Sequence, residues 1–509
     1  MTAQSATLTW FARHEFRLAW RDWLSMMTAG KRGRERLVVA VLAVFVGCMH
    51  LFAYSMVAGF ARLPYPPDKA TLVAVSGSVL LAFSLMLSQA MEQVTRAFYA
   101  RSDLDLILSS PIAARGVFAV RIAALAVSTT LLGLVLAAPF IDVLAYLGGA
   151  RWLAAYGAVA ATGLFASSLA VALTVAMFRA IGPKRTRLVA QVVAAVIGAA
   201  FIIGLQVAAI LSYGTLSRFA VLRSDSLILH APALDSLLWW PARAALGDGT
   251  ALTAVLGSSL LALLLVVVIF SARFGEHVLA AASVGQSRVR QRRARGFRRG
   301  SPMRALRRKE WTLLRRDPWL ISQTLMQLLY LLPPALLLWK SFDHSGGALV
   351  LLVPVLVMAA GQLAGGLSWL AISGEDAPDL VATAPVPSRM IVMAKIEAVM
   401  AVVALVFAPL LLPLALSARW FALCAGAGIV AAAASASAVQ FWFRRQARRS
   451  QFRRRQVSSR MATFAEAFSS ITWAGTAALA AAASPLAVFT ALIALLVLAG
   501  TWALAPKAA

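Results

Sequence analysis

The chain has 509 residues, of which 61% are hydrophobic and only 13% are charged, and its formal net charge is +28. This apolar balance lies outside the range of soluble domains and indicates an integral membrane protein. The positive charge concentrates in segments between apolar runs, such as 288–300. Cytoplasmic loops and their attraction to anionic lipid explain such segments, so nucleic acid is not expected as a partner.

A helix needs about 20 apolar residues to cross the hydrocarbon core of a bilayer, and twelve runs of this kind follow one another along the chain. They lack the alternating pattern of a barrel strand, and backbone groups in lipid are then satisfied only in helices. The predicted fold is therefore all-α, a polytopic helical membrane protein. The predicted spans are 37–57, 70–90, 117–144, 152–178, 188–213, 251–272, 321–340, 347–372, 391–416, 419–443, 464–483 and 486–504.

The distribution of Lys and Arg predicts the orientation of these spans. If the N-terminus is cytoplasmic, 40 of the 48 basic residues fall in cytoplasmic segments, as the positive-inside rule requires. We therefore expect a multi-pass protein of the cell inner (plasma) membrane with both termini in the cytoplasm.

An internal repeat begins near the N-terminus, where "RHEFRLAWRDWL" (Arg13 to Leu24) is similar to "RKEWTLLRRDPWL" (Arg308 to Leu320). Each copy precedes the first span of its half, and its aromatic residues among basic ones suit a helix lying in the cytoplasmic interface. A membrane-anchoring collar and a gating role both remain open for it. The paired residues are Arg13 with Arg308, Glu15 with Glu310, Phe16 with Trp311, Arg21 with Arg316, and Asp22 with Asp317.

A second repeated segment lies between the second and third spans of each half. "SDLDLILSSPIAARGVFAVRI" (Ser102 to Ile122) returns as "APDLVATAPVPSRMIVMAKI" (Ala377 to Ile396) at an offset of 274. The offset pairs Asp105 with Asp379, Leu106 with Leu380, Pro111 with Pro385, Arg115 with Arg389, and Arg121 with Lys395. In each copy, acids precede a short apolar turn, then Pro and Arg. Acids at the positive end of the helix dipole stabilise a short helix there. Such a helix gives another protein a surface to bind on the cytoplasmic side.

The two repeated segments predict two six-span units fused in tandem. Residues 1–290 form the first unit with its N-terminal interfacial helix, and 291–509 form the second unit with a preceding basic linker and interfacial helix. An even number of spans in each unit makes the repeats parallel, related by an axis along the membrane normal.

These features resemble the membrane-spanning permease subunits of ABC-type exporters, in the class with six spans per half and a coupling helix between the second and third spans. "LLWWPARAALGDG" (Leu237 to Gly249) is similar to the re-entrant outer segment of that class. The second half lacks such a segment, and the two halves share one chain instead of forming a dimer. The residues that carry the resemblance in the coupling helices are Asp103, Asp105, Leu106, Pro111, Arg115, Asp379, Leu380, Pro385 and Arg389.

The resemblance implies a transport subunit powered by a separate ATP-binding subunit, present in two copies, that docks on the coupling helices. The chain itself has no G-x-x-x-x-G-K-[ST] phosphate loop, so ATP acts through that partner and no cofactor is bound directly. Membrane lipid is the other expected partner. The substrate is not readable, although apolar spans favour amphipathic or lipid-like cargo.

An ion-coupled secondary transporter is the rival from another class, and it needs ionisable or strongly polar groups at mid-membrane. Helix packing through hydrogen bonds is the favoured interpretation of each candidate. The candidates are His50, Gln191, Gln206, Gln323, Gln327 and Gln362.

An intramembrane enzyme is the third class, and the densest acidic cluster, Gly374 to Asp376 with Asp379, is the only candidate site. No histidine lies near it in sequence, which favours a solvated helix start. Cys48 and Cys424 lie in predicted spans as small packing residues, so no disulfide or metal site is expected. We expect no catalysis in this chain.

Overall fold

The computed structural model describes residues 9–10, 12–14, 16–18, 21, 35–62, 66–99, 114–213, 224–271, 301–316, 325, 329, 336, 347–373, 380–381, 383–443 and 460–505. Nearly all of these residues are helical, and none of them lies in a strand. The prediction of an all-α chain is confirmed for this part of the protein.

The chain separates into two compact units, each described by itself below. Unit 1 comprises Met1–Ala209 with Ser217–Arg288, and unit 2 comprises Ile210–Leu216 with Val289–Ala509. The sequence repeat that predicts a boundary between 290 and 291 stays a prediction.

Unit 1 is built on long apolar helices joined by short 3-10 segments. Its core lies between α2, α3 and α4, where Phe118 packs among Met91, Val94 and Val171. The helices are α1 (Glu35–Val57), α2 (Lys69–Tyr99), α3 (Ala114–Gly148), α4 (Ala154–Tyr213), α5 (Asp225–His230), α6 (Trp240–Ala245) and α7 (Gly249–Ser271), with 3-10 helices at Ala58–Phe60, Ala150–Leu153 and Leu237–Trp239.

Helix α4 is divided at Gly182, whose φ of 75° and ψ of 165° are not helical. Glycine adopts this backbone conformation without a Cβ clash, and the following Pro183 lacks the amide hydrogen that a continuous helix would use. The break separates two candidate spans, Ala150–Gly182 and Leu188–Ala209. The basic proline-containing stretch in the sequence therefore coincides with the junction of two spans.

Unit 2 is a bundle in which α9 packs against α11 and α12. Gly361 and Gly365 of α9 form a G-x-x-x-G pattern facing Ser470 and Glu466 of α12, and this pattern brings membrane helices close together. The helices are α8 (Pro302–Arg316), α9 (Gly347–Ser373), α10 (Ser388–Ser417), α11 (Arg419–Phe443), α12 (Arg460–Ala481) and α13 (Leu486–Leu504).

Nine helices within the described residues are long and apolar enough to cross a membrane, which supports a polytopic membrane protein. They match nine of the twelve predicted spans. Of the other three, 37–57 corresponds to α1, and the described residues there give only the shorter apolar stretch Val46–Phe60, which continues into the 3-10 helix. The segment 321–340 lies almost entirely outside the described residues, and 464–483 corresponds to α12, which carries Glu466 and several hydroxyl side chains. The count of twelve stays a prediction.

Candidate functional site

A buried ion pair joins α8 to α10 in unit 2. The Nζ atom of Lys395 lies 3.1 Å from Oε1 and 3.2 Å from Oε2 of Glu310. The side chains are only 8% and 2% exposed, respectively. Lys309 also donates to Glu310 at 3.2 Å from the neighbouring position. Two charges buried away from water are stable only when they are well paired, so each side chain holds the other in place.

Lys395 also donates a hydrogen bond to the backbone carbonyl of Ala371, close to the C-terminal end of α9. A cation is favoured at this end of a helix, where unsatisfied carbonyls carry partial negative charge. One ammonium group therefore connects α8, α9 and α10.

A second ion pair joins the same helices α8 and α10 close to the first. Arg307 donates two hydrogen bonds to the Glu397 carboxylate, from Nε at 2.5 Å and from the guanidinium NH2 group at 3.0 Å. The hydrogen bond and the charge of this carboxylate raise the pKa of Arg307 above its ordinary value. Both side chains are well exposed, at 54% and 38%. We call the set Arg307, Glu310, Ala371, Lys395 and Glu397 the base cluster.

The predicted coupling residues divide into described and undescribed ones. Arg115 is exposed in the first turn of α3, while Leu380, at 74%, is one of the most exposed apolar side chains of unit 2. Pro385 and Arg389 are also exposed, and Arg389 is the second residue of α10. The predicted residues that lie outside the described part of the chain are Asp103, Asp105, Leu106, Pro111 and Asp379.

The predicted interfacial residues also divide in this way. Arg13, Phe16 and Arg21 are helical and exposed, as are Arg308 and, at 38%, Trp311. Glu310 is instead one of the most buried side chains, at 1% exposure, because its carboxylate faces Lys395. Arg316 is in the last turn of α8, and the residues outside the described part are Glu15, Asp22 and Asp317.

The repeat alignment contains a signal for the buried pair that a site prediction could have used. It pairs Glu15 with Glu310 and Arg121 with Lys395, so an acid and a base recur at matching positions. Arg121 is itself buried in unit 1, at 6% exposure. The basic residues at these two aligned positions are thus both buried.

The segment 224–249 of unit 1 contains α5, a 3-10 helix and α6, and it was expected to be a re-entrant outer segment. Trp239 is buried against Leu72 of α2 and Trp152, and its indole donates to the Ala233 carbonyl at 2.9 Å. Asp248 then caps α7 by accepting hydrogen bonds from Thr250 and Ala251. These bonds, the Thr250 hydroxyl foremost, lower the pKa of Asp248. The membrane disposition of this segment stays a prediction.

His50, a candidate for ion coupling, contacts an acid of another helix, and that acid has a second partner. Its Nε2 lies 3.3 Å from Oδ2 of Asp142 on α3, and Tyr156 of α4 donates to Oδ1 of the same carboxylate at 2.6 Å. Sequence reasoning missed Asp142, although it is an acid within an apolar helix. Of the glutamines, Gln191 and Gln206 are partly buried, Gln362 is exposed, and Gln323 and Gln327 lie outside the described residues.

Glu466 is a second acid that the sequence reasoning missed. It lies on α12, partly buried, and accepts a hydrogen bond from the Gln440 amide of α11 at 2.5 Å. Gly365 of α9 leaves room for it, because a Cβ there would collide with the carboxylate. The glycine pattern on α9 is the sequence signal that could have located this contact.

Comparison with known proteins gives no further guide to the site. The chain matches no family model, no curated protein and no solved structure.

Proposed function

We propose that the chain is the membrane-spanning permease subunit of an ATP-driven exporter. A separate ATP-binding subunit, in two copies, would dock on the cytoplasmic coupling segments that include residues 103–115 and 379–389. The base cluster is the observation that carries this proposal. The exposed side chains of Leu380, Pro385 and Arg389 lie just before and at the start of α10. Two helical turns after the start of α10, Lys395 joins that helix to α8 and α9.

This arrangement suits the transmission of force. A partner that moves the start of α10 would also move α8 and α9, because breaking the buried Glu310–Lys395 pair is unfavourable. Energy from ATP would then reach the spans through a rigid junction of three helices instead of one flexible loop. The direction of transport rests on the resemblance, and an amphipathic or lipid-like substrate rests on the apolar character of the spans.

Recovery of the ATP-binding subunit tests the proposal. The chain is solubilised from its native membrane in mild detergent and captured as wild type and as Asp105→Lys/Asp379→Lys. The matched control is Asp225→Lys/Asp235→Lys, which changes the net charge equally at two exposed acids of the segment 224–249. We expect an ATPase with the wild type and the control, and its loss from the first variant.

Two outcomes contradict the proposal. Capture of the wild type without any ATPase would remove the energy source that the proposal requires. Equal retention of the ATPase in both variants would show that the acidic coupling positions do not carry the docking.

An ion-coupled secondary transporter is the second candidate, and Glu466 is the observation that favours it. Ionisable side chains within membrane helices commonly mark ion or proton pathways, and this carboxylate lies between α9, α11 and α12. This candidate becomes the working model if the wild type is captured without an ATPase and Glu466→Gln then abolishes gradient-driven uptake in vesicles.

A further inference from the structure

The carboxylate of Asp142 in unit 1 is contacted by side chains from two other helices, His50 and Tyr156. Asp142 lies on α3, His50 on α1, and Tyr156 in the first turn of α4. Asp142 is six residues before the end of α3, which places it about 9 Å along the helix axis from that end. The group is therefore close to the ends of its helices, where water has access.

The hydrogen bonds of His50 restrict where its protons reside. Nδ1 lies 2.8 Å from the Val46 carbonyl oxygen, which only accepts, so this nitrogen carries a hydrogen. Nε2 lies 3.3 Å from an Asp142 oxygen. With Nδ1 already protonated, a favourable contact between Nε2 and the carboxylate requires one additional proton, held by either group.

Tyr156 selects between these two arrangements. Its hydroxyl donates to the other Asp142 oxygen at 2.6 Å. A hydrogen bond donated to a carboxylate stabilises the charged form. The additional proton is therefore favoured on His50, which makes the contact an ion pair between an imidazolium and a carboxylate.

The site is partly open and belongs to unit 1. The side chains of His50 and Asp142 are 34% and 47% exposed, so neither is enclosed by the helices of unit 1. At the repeat offset of 274, the position of Asp142 is occupied by Leu416, an apolar residue that is 86% exposed. The aligned position of the second half therefore carries no carboxylate.

Other charged or titratable groups lie on the elements that carry or adjoin the site. Between residues 46 and 62 they are Cys48, Tyr54 and Arg62. Tyr146 lies one turn beyond Asp142 on α3, Arg151 lies in the 3-10 helix before α4, and Asp68 and Lys69 lie at the start of α2, while residues 249–271 of α7 include no titratable side chain.

We propose that His50, Asp142 and Tyr156 form a proton-binding site. Uptake of one proton from water at Nε2 of His50 turns its contact with Asp142 into an ion pair and strengthens the attachment of α1 to α3. Release of that proton leaves the carboxylate held by Tyr156 and weakens the attachment. The site does not require the ATP-driven function, and it would operate equally in a protein driven by other means.

His230 provides a matched reference within the same chain. Its Nδ1 makes the same bond, four residues back, to the Ser226 carbonyl at 2.7 Å. Among the described residues it forms no ion pair with a carboxylate. The two histidines therefore differ in the feature that the proposal invokes.

The test is a proton titration of the five histidines, labelled with 13C at Cε1, in the full chain reconstituted in nanodiscs. His50→Gln and His230→Gln assign the two signals. We expect the His50 midpoint to lie above that of His230, because of the two only His50 contacts a carboxylate among the described residues. Asp142→Asn should lower the His50 midpoint, while Asp142→Glu, which keeps the charge, should leave it close to the wild-type value.

Asp235→Asn removes an exposed acid elsewhere in unit 1 and should leave the His50 midpoint unchanged. The proposal is overturned if His50 and His230 titrate together in the wild type, a result that needs no variant of Asp142 to fold. It is also overturned if a folded Asp142→Asn protein keeps the wild-type midpoint of His50. Neither result affects the ATPase capture, which reads out a different part of the chain.

Discussion

Two ion pairs join the same two helices, yet they differ in almost every physical respect. Glu310 and Lys395 are nearly fully buried, whereas Arg307 and Glu397, close to them on α8 and α10, are well exposed. The exposed pair has the better geometry, with two hydrogen bonds from one guanidinium. The buried pair connects three helices, because Lys395 also binds the Ala371 carbonyl of α9.

The comparison shows why burial, more than geometry, decides what an ion pair does. An exposed pair gains little, because solvent screens its charges and two long side chains lose freedom. Removing one partner of a buried pair leaves a charge that nothing else nearby compensates fully. The buried pair should therefore control whether α8, α9 and α10 move as one body, while the exposed pair should be dispensable.

The largest effect is expected for Lys395→Met. This change leaves the buried Glu310 carboxylate with Lys309 as its remaining ion-pair partner among the described residues, and we expect it to reduce the free energy of unfolding by about 3–5 kcal/mol. The measurement is unfolding of the purified chain in mixed detergent micelles. Glu310→Leu/Lys395→Met removes both charges and should restore most of the stability. If Lys395→Met is as stable as the wild type, burial does not determine how much this ion pair contributes to stability.

A smaller effect is expected where the bundle is closely packed without charge. In Gly428→Ala on α11, the new Cβ would lie 2.6 Å from a Val357 methyl and 2.8 Å from the Ala477 Cβ. Such overpacking should cost about 1–3 kcal/mol in the same unfolding measurement.

Gly475→Ala is the control for this change, because no atom of the described residues, apart from its chain neighbours and the backbone of its own helix, lies within 4 Å of the added Cβ. It should leave stability unchanged or raise it slightly, since alanine favours the helix. Equal effects of the two changes would contradict the close packing of α9, α11 and α12.

The cap of α7 tests a charge that acts on backbone and hydroxyl groups instead of on another charge. Asp248→Ala removes hydrogen bonds to Thr250 and Ala251 and should cost about 1 kcal/mol. Because the pKa of Asp248 is lowered in the folded chain, its contribution is present above about pH 4, the ordinary aspartate pKa, and is lost as the pH falls through the lowered value.

Unfolding measured between neutral and acid pH checks this sign. The difference in stability between the wild type and Asp248→Ala should shrink at the acid end, where the protonated side chain keeps an acceptor oxygen and loses its charge. Asp248→Asn, which retains an acceptor without the charge, should keep most of the cap at neutral pH. A difference that grows on acidification would refute the assignment.

The smallest effect is expected for Arg307→Gln/Glu397→Gln, which removes the exposed pair. Any loss of stability should be far below that of Lys395→Met and should vanish as the salt concentration rises, since exposed charges are screened. Stability is compared at low and high ionic strength. A salt-independent loss as large as that of Lys395→Met would show that the exposed pair stabilises the chain as much as the buried pair does.

Features of the site that depend on neighbouring residues could be predicted from the sequence, whereas contacts between residues far apart in the chain could not. Hydropathy placed the connection before α10 between two spans, and the exposed Leu380, Pro385 and Arg389 lie there. It could not pair Glu310 with Lys395, which are 85 residues apart, or His50 with Asp142, which are 92 apart. The repeat indicated that an acid and a base recur, but not that they meet.

The sequence by itself determined that the described chain is helical and where nine apolar helices run. Each helix in lipid must satisfy its own backbone hydrogen bonds, so the signal is local and can be read one segment at a time. Only the tertiary structure decided which polar groups are buried together. That outcome depends on how closely distant helices approach, and small residues such as Gly365 and Gly428 set this distance through contacts that no single segment contains.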